Sequence, residues 1–455
     1  MSKRPLFHFT PEKNWMNDPN GLSHFNGEYH IFYQHNPENC YWGNMTWGHA
    51  KSKDLFAWEH LEHALYPDSK ELGDIDGCFS GSAFVKDNEL HLFYTGVEMT
   101  TKRLNEFGNT ITVGDDDLIS TQILAKSKDG INFEKVAKLE VPIPEKTCTA
   151  HIRDPKVWET DGKYYMVLGA KDQAGGKILM YESDDLKNWN IFTELKEANM
   201  GFMWECPDLF EIGGKEVLVF SPQGIGTDGQ VHIAGYYLGD FDYEKKEFLH
   251  SDLKRLDNGF EFYAPQSFLD EKGRRVLIGW LVNHAPLPGE NFTGIMTIPR
   301  ELNYKDGKLY QMPVKEIEKY RNKELGEFSE LDNKNQYDLN LKIGTDKDFT
   351  LILFENNGVG LKLHFDFKEN KIILDRSDII NDFKVLETFG LKRELNLEIK
   401  EPSIELRVIV DKCVAEIYIN NGEYVMSAVV NPKLNQNKVI LIGEILEKKI
   451  YELKR

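Results

Sequence analysis

The sequence predicts an all-β protein, with an N-terminal five-bladed β-propeller followed by a C-terminal antiparallel β-sandwich. Three observations lead to this prediction. A polar turn followed by a short β-rich run recurs five times before residue 300. Helical periodicity is almost absent through residue 310, which disfavours a barrel of alternating strands and helices. From about residue 325, apolar and polar residues alternate, as in strands with one buried face.

The repeated turn and run defines the blades of the predicted propeller. Successive copies start roughly 50 to 75 residues apart, which suits one four-stranded blade with its loops. The copies lie at residues 27–33, 88–94, 161–168, 214–220 and 272–279. A second turn that ends in an aromatic residue recurs at residues 52–58, 127–133 and 183–189. We expect this turn to anchor an outer strand on its neighbour, and an irregular sandwich with chance similarities is the alternative.

The character of the sequence changes after residues 299–302 (PREL). Residues 314–325 are charged and compatible with a helix, which predicts a linker. Alternating runs at 338–343, 361–367, 404–409 and 414–419 predict strands, and Asn421-Gly422 predicts a hairpin turn. The sequence thus predicts a propeller over residues 1–312, a linker over 313–325 and a sandwich over 326–455.

The composition of the chain disfavours several classes of binding partner and cofactor. The 455 residues carry a formal net charge of -19, which disfavours nucleic acid and anionic membranes. No signal-peptide pattern or run of membrane-span length occurs, so we expect a cytoplasmic protein, with homo-oligomerisation left open. The five cysteines lack CxxC spacing, and the histidines lack HxH or HExxH spacing. No disulfide framework, metal site or cofactor is expected.

Three carboxylates stand out by their position in the repeat. Asp18, Asp154 and Glu205 each precede the recurring run of their own blade by seven to nine residues. Residues 78–81 and 261–265 occupy the same place in the other two blades. Equivalent positions on the innermost strands of a propeller converge on its central channel. The sequence therefore predicts one pocket that contains three acidic side chains.

Such a group of carboxylates suits glycoside hydrolysis, which needs one ionised and one protonated carboxyl group. Apolar neighbours at 202–204 and Cys206 favour a raised pKa for Glu205, the expected acid. Asn17, Asn20 and Arg153 are expected to keep Asp18 ionised. Each motif alone is also typical of a turn or a surface ion pair, and their shared position favours function.

The motifs together resemble glycoside hydrolase family 32, in order and spacing, over nearly the whole chain. They are 15–21 (WMNDPNG), 79–82 (FSGS), 153–155 (RDP), 205–206 (EC), 262–268 (FYAPQSF), 299–302 (PREL), 373–377 (ILDRS) and 411–416 (DKCVAE). The resemblance implies a propeller and a sandwich. It also implies that Asp18 is the nucleophile, Glu205 the acid/base and Asp154 a stabiliser of the transition state. The fructose pocket that it implies consists of Asn17, Gln34, Trp42, Phe79, Ser80, Arg153, Cys206, Tyr263 and Trp280.

The sequence departs from the family pattern at three places. Met312 stands where Arg is common, Glu261 stands where Asp is usual, and the segment 99–120 is longer than expected. The first two departures are interpreted as structural. The third is expected to alter the mouth of the pocket and hence the leaving group.

The expected reaction is hydrolysis of terminal β-fructofuranosides with retention, with the two carboxyl groups about 5–5.5 Å apart. Sucrose and sucrose-6-phosphate lead among the substrates, and Lys102, Arg103 and Lys171 are candidates for binding a phosphate. The alternatives are an exo-acting fructanase, a fructosyltransferase, an inverting hydrolase of arabinan or xylan, and a non-catalytic sugar-binding propeller.

Overall fold

The fold is all-β, as predicted. The computed structural model describes residues 2–226, 232–331, 335–397 and 401–455. These residues form seven sheets of four to six strands and one two-stranded hairpin. The short 3-10 helices among them are Lys315–Tyr320, Phe328–Glu330 and Lys384–Phe389. No helix in the described ranges has the length and apolarity that a membrane span needs.

The first five sheets follow one another along the chain, and within each the four main strands pair antiparallel. Sheet 1 contains Asn14–Phe25, Glu28–Asn36, Thr46–Ser52 and Trp58–Leu65, with Phe292–Thr293 parallel to its first strand. Sheet 2 contains Gly77–Lys86, Glu89–Met99, Leu118–Ser127 and Glu134–Lys138. The small hairpin, Lys102–Leu104 and Thr110–Thr112, lies between its second and third strands.

Sheets 3, 4 and 5 repeat this plan. Sheet 3 contains Thr147–Thr160, Lys163–Asp172, Gly175–Ser183 and Asn190–Leu195. Sheet 4 contains Met203–Ile212, Lys215–Gln223, Gly235–Asp242, Glu247–His250 and the short Lys254–Arg255. Sheet 5 contains Phe262–Leu269, Arg275–Leu281, Arg300–Lys305, Lys308–Pro313 and the short Ile295–Met296.

The first strands of the five sheets are in mutual contact. Each packs on the first strand of the next sheet, and that of sheet 5 packs on that of sheet 1. The second strands are the recurring β-rich runs of the sequence, so the repeat corresponds to one structural unit per copy.

The second repeated turn has one hydrogen-bonding pattern in sheets 1, 2 and 3. In sheet 3, Ser183 Oγ donates to Asp185 Oδ1 (3.2 Å), which also accepts from the backbone N–H groups of Lys187 and Asn188. Asp54 and Asp129 accept the same set of bonds in their own turns. In such Asx turns the aspartate accepts hydrogen bonds from backbone N–H groups that no longer pair with a strand, because strand pairing stops at the end of the third strand. The sequence similarity therefore reflects shared backbone geometry.

The C-terminal part contains two antiparallel sheets. Sheet 6 contains Arg321–Leu325, Ile445–Leu453, Gln336–Gly344, Ser403–Asp411, Val414–Ile419 and Tyr424–Val429, in that spatial order. Sheet 7 contains Lys392–Asn396, Lys371–Asp375, Val359–Asp366, Phe349–Asn356 and Lys438–Ile442. In the predicted linker, the 3-10 helix ends at Tyr320, and the remainder is the edge strand of sheet 6. Strand pairing with residues 445–453 competes with helix formation there.

The Asn421-Gly422 hairpin turn forms where it is predicted and also joins the two parts of the molecule. Gly422 has φ 80° and its carbonyl accepts from Gln311 N (2.9 Å) in sheet 5. A Cβ atom at this position would lie 1.8 Å from the Gln311 carbonyl oxygen. Only glycine satisfies both the left-handed backbone and this close approach.

Buried charges cross the same junction between the two parts. Arg300 of sheet 5 is fully buried and donates to Asp257 (2.9 Å) and to Glu416 of sheet 6 (2.6 Å). Glu261 is likewise fully buried against Arg376, and it accepts from Val429 N at 3.0 Å. The side chain of Glu261, which is longer than that of the usual Asp, thereby helps to join the two parts. This agrees with the structural interpretation of this departure from the family pattern.

Candidate active site

A β-bulge interrupts the first strand of every one of the first five sheets at an equivalent point. The pairing register shifts between Met16 and Pro19, Cys78 and Gly81, Arg153 and Lys156, Glu205 and Asp208, and Tyr263 and Gln266. Bulges bend a strand and redirect its side chains. Five strands in mutual contact, each with a bulge, therefore bring side chains from five parts of the chain to one place.

The three predicted carboxylates all lie at these bulges, at successive register positions. Glu205 is the last regularly paired residue before its bulge, Asp154 is the first bulged residue, and Asp18 is the second. Asp154 and Cys206 have φ of 65° and 49°, in the left-handed region. Non-glycine residues there are uncommon and are enriched at functional sites.

Asp18 accepts hydrogen bonds from three side chains. Ser80 Oγ lies 2.6 Å and Cys206 Sγ 3.5 Å from Oδ2, and Asn17 Nδ2 lies 3.1 Å from Oδ1. Burial raises the pKa of Asp18, and these donors partly oppose the rise. The expected donor Asn20 is fully buried and lies against Gly81 instead (3.4 Å).

Glu205 is surrounded by polar groups, contrary to the apolar environment expected from its neighbours in sequence. Arg153 Nη2 donates to Oε1 at 2.8 Å, and Oε2 accepts from Tyr263 Oη (2.6 Å) and Gln223 Nε2 (2.7 Å). Trp204 points away and packs on Phe220. Successive residues of a strand face opposite sides, so the immediate neighbour Trp204 does not face the carboxyl group, although Phe202 and Met203 line the same cavity.

Arg153 is therefore the partner of Glu205, and its expected contact with Asp18 is wrong. Arg153 stands on the first strand of sheet 3, which packs directly on the first strand of sheet 4, where Glu205 lies. Its guanidinium also contacts His151 Nδ1 at 3.0 Å. Arg153 is thus shared between Glu205 and the side chain of His151.

Asp154 is almost fully buried below the other two carboxylates. Its Oδ2 accepts from Cys206 N (2.9 Å) and lies 3.6 Å from Cys206 Sγ. Burial raises the pKa of Asp154 to about 7; Arg153 opposes the rise, and Glu205 and Asp18 add to it. Cys206 Sγ contacts both Asp18 and Asp154, and it therefore links these two carboxylates.

The carboxylates open into a cavity with two lobes, of about 390 and 490 Å³, that share Asp18, Glu205 and Trp42. Every predicted site residue except Cys206 lines a lobe, and Cys206 lies beneath them against both aspartates. The first lobe is lined by Asn17, Asp18, Gln34, Trp42, Phe79, Ser80, Arg153, Asp154 and Glu205. Tyr263 and Trp280 line the second, where Trp280 lies edge-on to Trp15.

Several lining residues were not predicted. Gln223 bonds Glu205, His151 bonds Arg153, and Phe389 reaches the second lobe from the C-terminal part. Gln223 lies three residues after the end of the fourth copy of the repeat, which is the signal that would have found it. Phe389 had no such signal because it belongs to a distant 3-10 helix.

The long segment after sheet 2's second strand lies at the mouth of the first lobe. Met99, Thr112, Asp115 and Leu118 line this lobe, as does Lys171 of sheet 3. Lys102 pairs with Asp76 instead (2.6 Å), and Arg103 is exposed on the hairpin. Of the three basic residues predicted as candidates for phosphate binding, Lys171 is the one that lines the cavity formed by the described residues. The ligand atoms of Asp116, Cys148 and His151 lie within 4.8 Å of one another.

Comparison with known proteins identifies the family of this chain. The model of the glycosyl hydrolases family 32 N-terminal domain matches residues 8–313, and that of the family 32 C-terminal region matches residues 308–445. The chain belongs to glycosyl hydrolase family 32. It is therefore a glycoside hydrolase, and the family resemblance predicted from the motifs is confirmed.

Relatives and solved structures cover nearly the whole chain. A sucrose-6-phosphate hydrolase of Escherichia coli is 37% identical, over 96% of this chain and 91% of that protein. A raffinose invertase of Escherichia coli is 36% identical, over 96% and 91%. The structure of a sucrose-6-phosphate hydrolase from Lactobacillus gasseri is 30% identical and superimposes with a TM-score of 0.87, over 99% of this chain and 93% of that one.

Proposed function

We propose that this family 32 enzyme hydrolyses terminal β-D-fructofuranosides, sucrose or sucrose-6-phosphate, with retention of configuration. The convergence of Asp18, Asp154 and Glu205 on one cavity, each with its own set of donors, carries the proposal. The relatives named sucrose-6-phosphate hydrolase and raffinose invertase support the substrate class.

Asp18 is the proposed nucleophile. Ser80 and Asn17 donate to its two oxygens, which stabilises the carboxylate form and fixes its orientation. The carboxylate attacks the anomeric carbon of fructose and forms a covalent fructosyl-enzyme, while the bond to the leaving group breaks. Asp154 is proposed to accept hydrogen bonds from fructosyl hydroxyl groups and so to stabilise the transition state.

Glu205 is the proposed acid/base. In the first step it donates a proton to the glycosidic oxygen, and in the second it takes a proton from the water that releases fructose. The guanidinium of Arg153 bonds Glu205 and so fixes the orientation of its carboxyl group. In the structure Glu205 accepts from Arg153, Tyr263 and Gln223, which is the acceptor state that the second step requires.

The remaining predicted residues are proposed to bind the fructosyl unit: Asn17, Gln34, Trp42, Phe79, Ser80, Arg153, Cys206, Tyr263 and Trp280. Aromatic rings suit the C–H faces of sugars, and the amide and hydroxyl groups suit their hydroxyls. Trp42, which is 42% exposed at the junction of the lobes, is placed to contact both sugar units of a disaccharide.

We further propose that the five sheets form a five-bladed propeller over residues 1–312. The contacts of each first strand with the next, and of the fifth with the first, support a closed ring. Residues 313–325 would then connect the propeller to a sandwich over 326–455, made of sheets 6 and 7. Apolar side chains of both parts belong to one continuous buried cluster, which supports a fixed arrangement.

Chemical rescue tests the roles and the stereochemistry together. Glu205→Ala should lose turnover of sucrose, and azide should restore release from an activated fructoside as a β-fructosyl azide. Azide can replace water at the covalent intermediate because it needs no general base. Glu211→Ala, an exposed glutamate on the same strand, is the matched control and should retain wild-type turnover.

The anomeric configuration of the product, read by NMR, decides between the alternatives. An inverted product would show that the roles of Asp18 and Glu205 are wrong and would favour an inverting hydrolase. Transfer to oligofructan in place of free fructose would identify a fructosyltransferase. Binding without turnover of sucrose, sucrose-6-phosphate, raffinose and inulin would contradict the proposed activity.

A further inference from the structure

Three nitrogen-bearing side chains form a basic corner at one side of the first lobe: His151, Arg153 and Lys171. All three line the cavity, and their side chains are only 12%, 13% and 22% exposed. Lys171 stands near the end of the second strand of sheet 3, and the other two stand on the first strand. In a chain with a net charge of -19, such a concentration of donors at a cavity wall is unusual.

An exposed carboxylate from the long segment of sheet 2 occupies this corner. Asp116 Oδ1 lies 3.0 Å from His151 Nε2 and 3.5 Å from Lys171 Nζ, although the Asp116 side chain is 72% exposed. Lys171 has no other ion-pair partner among the pairs recorded for the described residues. The corner thus already accommodates an anionic group, supplied by a side chain that lies largely in solvent.

The same atoms suit an anion better than a metal ion. Asp116, Cys148 and His151 have a spacing that a cation could use. However, Lys171 lies next to Asp116, and the Arg153 guanidinium lies 3.0 Å from His151 Nδ1. Two positive charges beside the site disfavour a cation and favour a group with several negatively charged oxygens.

The corner lies on the acid/base side of the cavity. Arg153 joins it to Glu205, since the guanidinium contacts His151 at 3.0 Å and Glu205 at 2.8 Å. Glu205 is the proposed proton donor to the glycosidic oxygen, so the leaving sugar must lie next to it. One side chain, that of Arg153, therefore separates His151 and Lys171 from Glu205 and from the expected position of the leaving sugar.

We infer that His151 and Lys171 bind a phosphate group on the leaving sugar, at the position that the Asp116 carboxylate occupies in the free protein. This inference rests on the proposed function, and within it favours sucrose-6-phosphate over sucrose. The phosphate carries more negative charge than the carboxylate and has three acceptor oxygens, so it displaces Asp116 from the corner. Lys171 and His151 are specificity-determining residues in this scheme.

The test compares kcat/KM for sucrose-6-phosphate and for sucrose, with their ratio as the readout. Lys171→Met should lower the ratio about 10- to 100-fold, the size expected for losing a hydrogen bond between charged groups. Asp116→Asn should raise it, because the competing charge is removed while the shape is kept. Lys163→Met, on an exposed lysine at the other end of the same strand, is the control and should leave the ratio unchanged.

The outcomes separate this inference from the proposed function. Release of fructose from neither substrate by the wild-type chain would contradict the proposed function itself. Hydrolysis of both substrates with an equal ratio in the wild type and Lys171→Met would overturn the phosphate site alone. A wild-type preference for sucrose, or a lower ratio in Asp116→Asn, would also overturn it.

Discussion

The cavity and the junction between the two parts of the molecule both bury carboxylates, but their charge balance differs. In the cavity, Arg153 bonds Glu205, whereas the recorded side-chain partners of Asp18 and Asp154 among the described residues are uncharged. At the junction, Glu416 is bonded by both Arg300 and His8, which also bond Asp257 and Asp411. Buried carboxylates therefore have direct basic partners at the junction, whereas two of the three in the cavity do not.

The ionisation of the two regions reflects this balance. Burial raises the pKa of Asp18, and that of Asp154 to about 7. Burial acts in the same direction on Glu416, but Arg300 and His8 outweigh it and lower its pKa to about 2. Burial of a carboxylate thus does not by itself indicate catalysis; a shortage of partners does.

The largest expected effect separates activity from stability within the cavity. Asp18→Asn should lower kcat on the order of 10⁴-fold or more, because the proposed nucleophile is lost. Its thermal midpoint should stay the same or rise, since a buried carboxylate with a raised pKa is replaced by a neutral group of equal shape. Steady-state kinetics and calorimetry measure the two quantities. A clear fall in the midpoint would mean that this carboxylate is structural.

The matched amide substitution at the junction should have the opposite outcome. Glu416→Gln should lower the free energy of unfolding by about 3–5 kcal/mol, because it removes one of the two carboxylates that balance each of the buried Arg300 and His8 side chains. Activity per folded molecule should be retained, since Glu416 is not part of the cavity. Urea denaturation at constant pH measures the loss, and a change below about 1 kcal/mol would contradict the contrast between the regions.

Two buried histidines should have the smallest effects on stability. One effect should appear as the pH rises and the other as the pH falls. Burial disfavours the charge on His8, but hydrogen bonds and attraction from Asp411 and Glu416 outweigh it and raise its pKa to about 9. Its contribution to stability is complete below pH 6.5 and is lost as the pH rises towards 9. Burial lowers the pKa of His35 to about 4, so its contribution is complete above pH 6.5 and is lost as the pH falls towards 4.

The two histidines can be tested separately as glutamine variants. His8→Gln should flatten the alkaline side of the stability profile, and His35→Gln should flatten the acid side, each by up to about 1.4 kcal/mol per pH unit. Unfolding free energies between pH 4 and 9 provide the measurement. The slope is compared, rather than the absolute stability, because either variant also removes packing contacts. Equal slopes in the wild type and both variants would assign the pH dependence to other groups.

Sequence patterns predicted the units of this fold because they are local. Each β-rich run became the second strand of its sheet, and the three Ser-x-Asp turns became Asx turns with one bonding pattern. The helical part of the linker was predicted too long, because pairing of residues 321–325 with a strand over 120 residues away decides their conformation. Propensity within a short segment cannot report such a distant partner.

The sequence by itself predicted which residues lie together, since Asp18, Asp154 and Glu205 and nearly all the predicted binding residues line one cavity. Only the tertiary structure decided their partners. The bulges set the three carboxylates at different register positions, and Arg153 bonds Glu205 rather than Asp18. Repeat spacing gives the sheet and strand of a residue, whereas side-chain direction depends on the bulge and the neighbouring sheet. Pairing of charges, which sets the chemistry, is therefore a tertiary property.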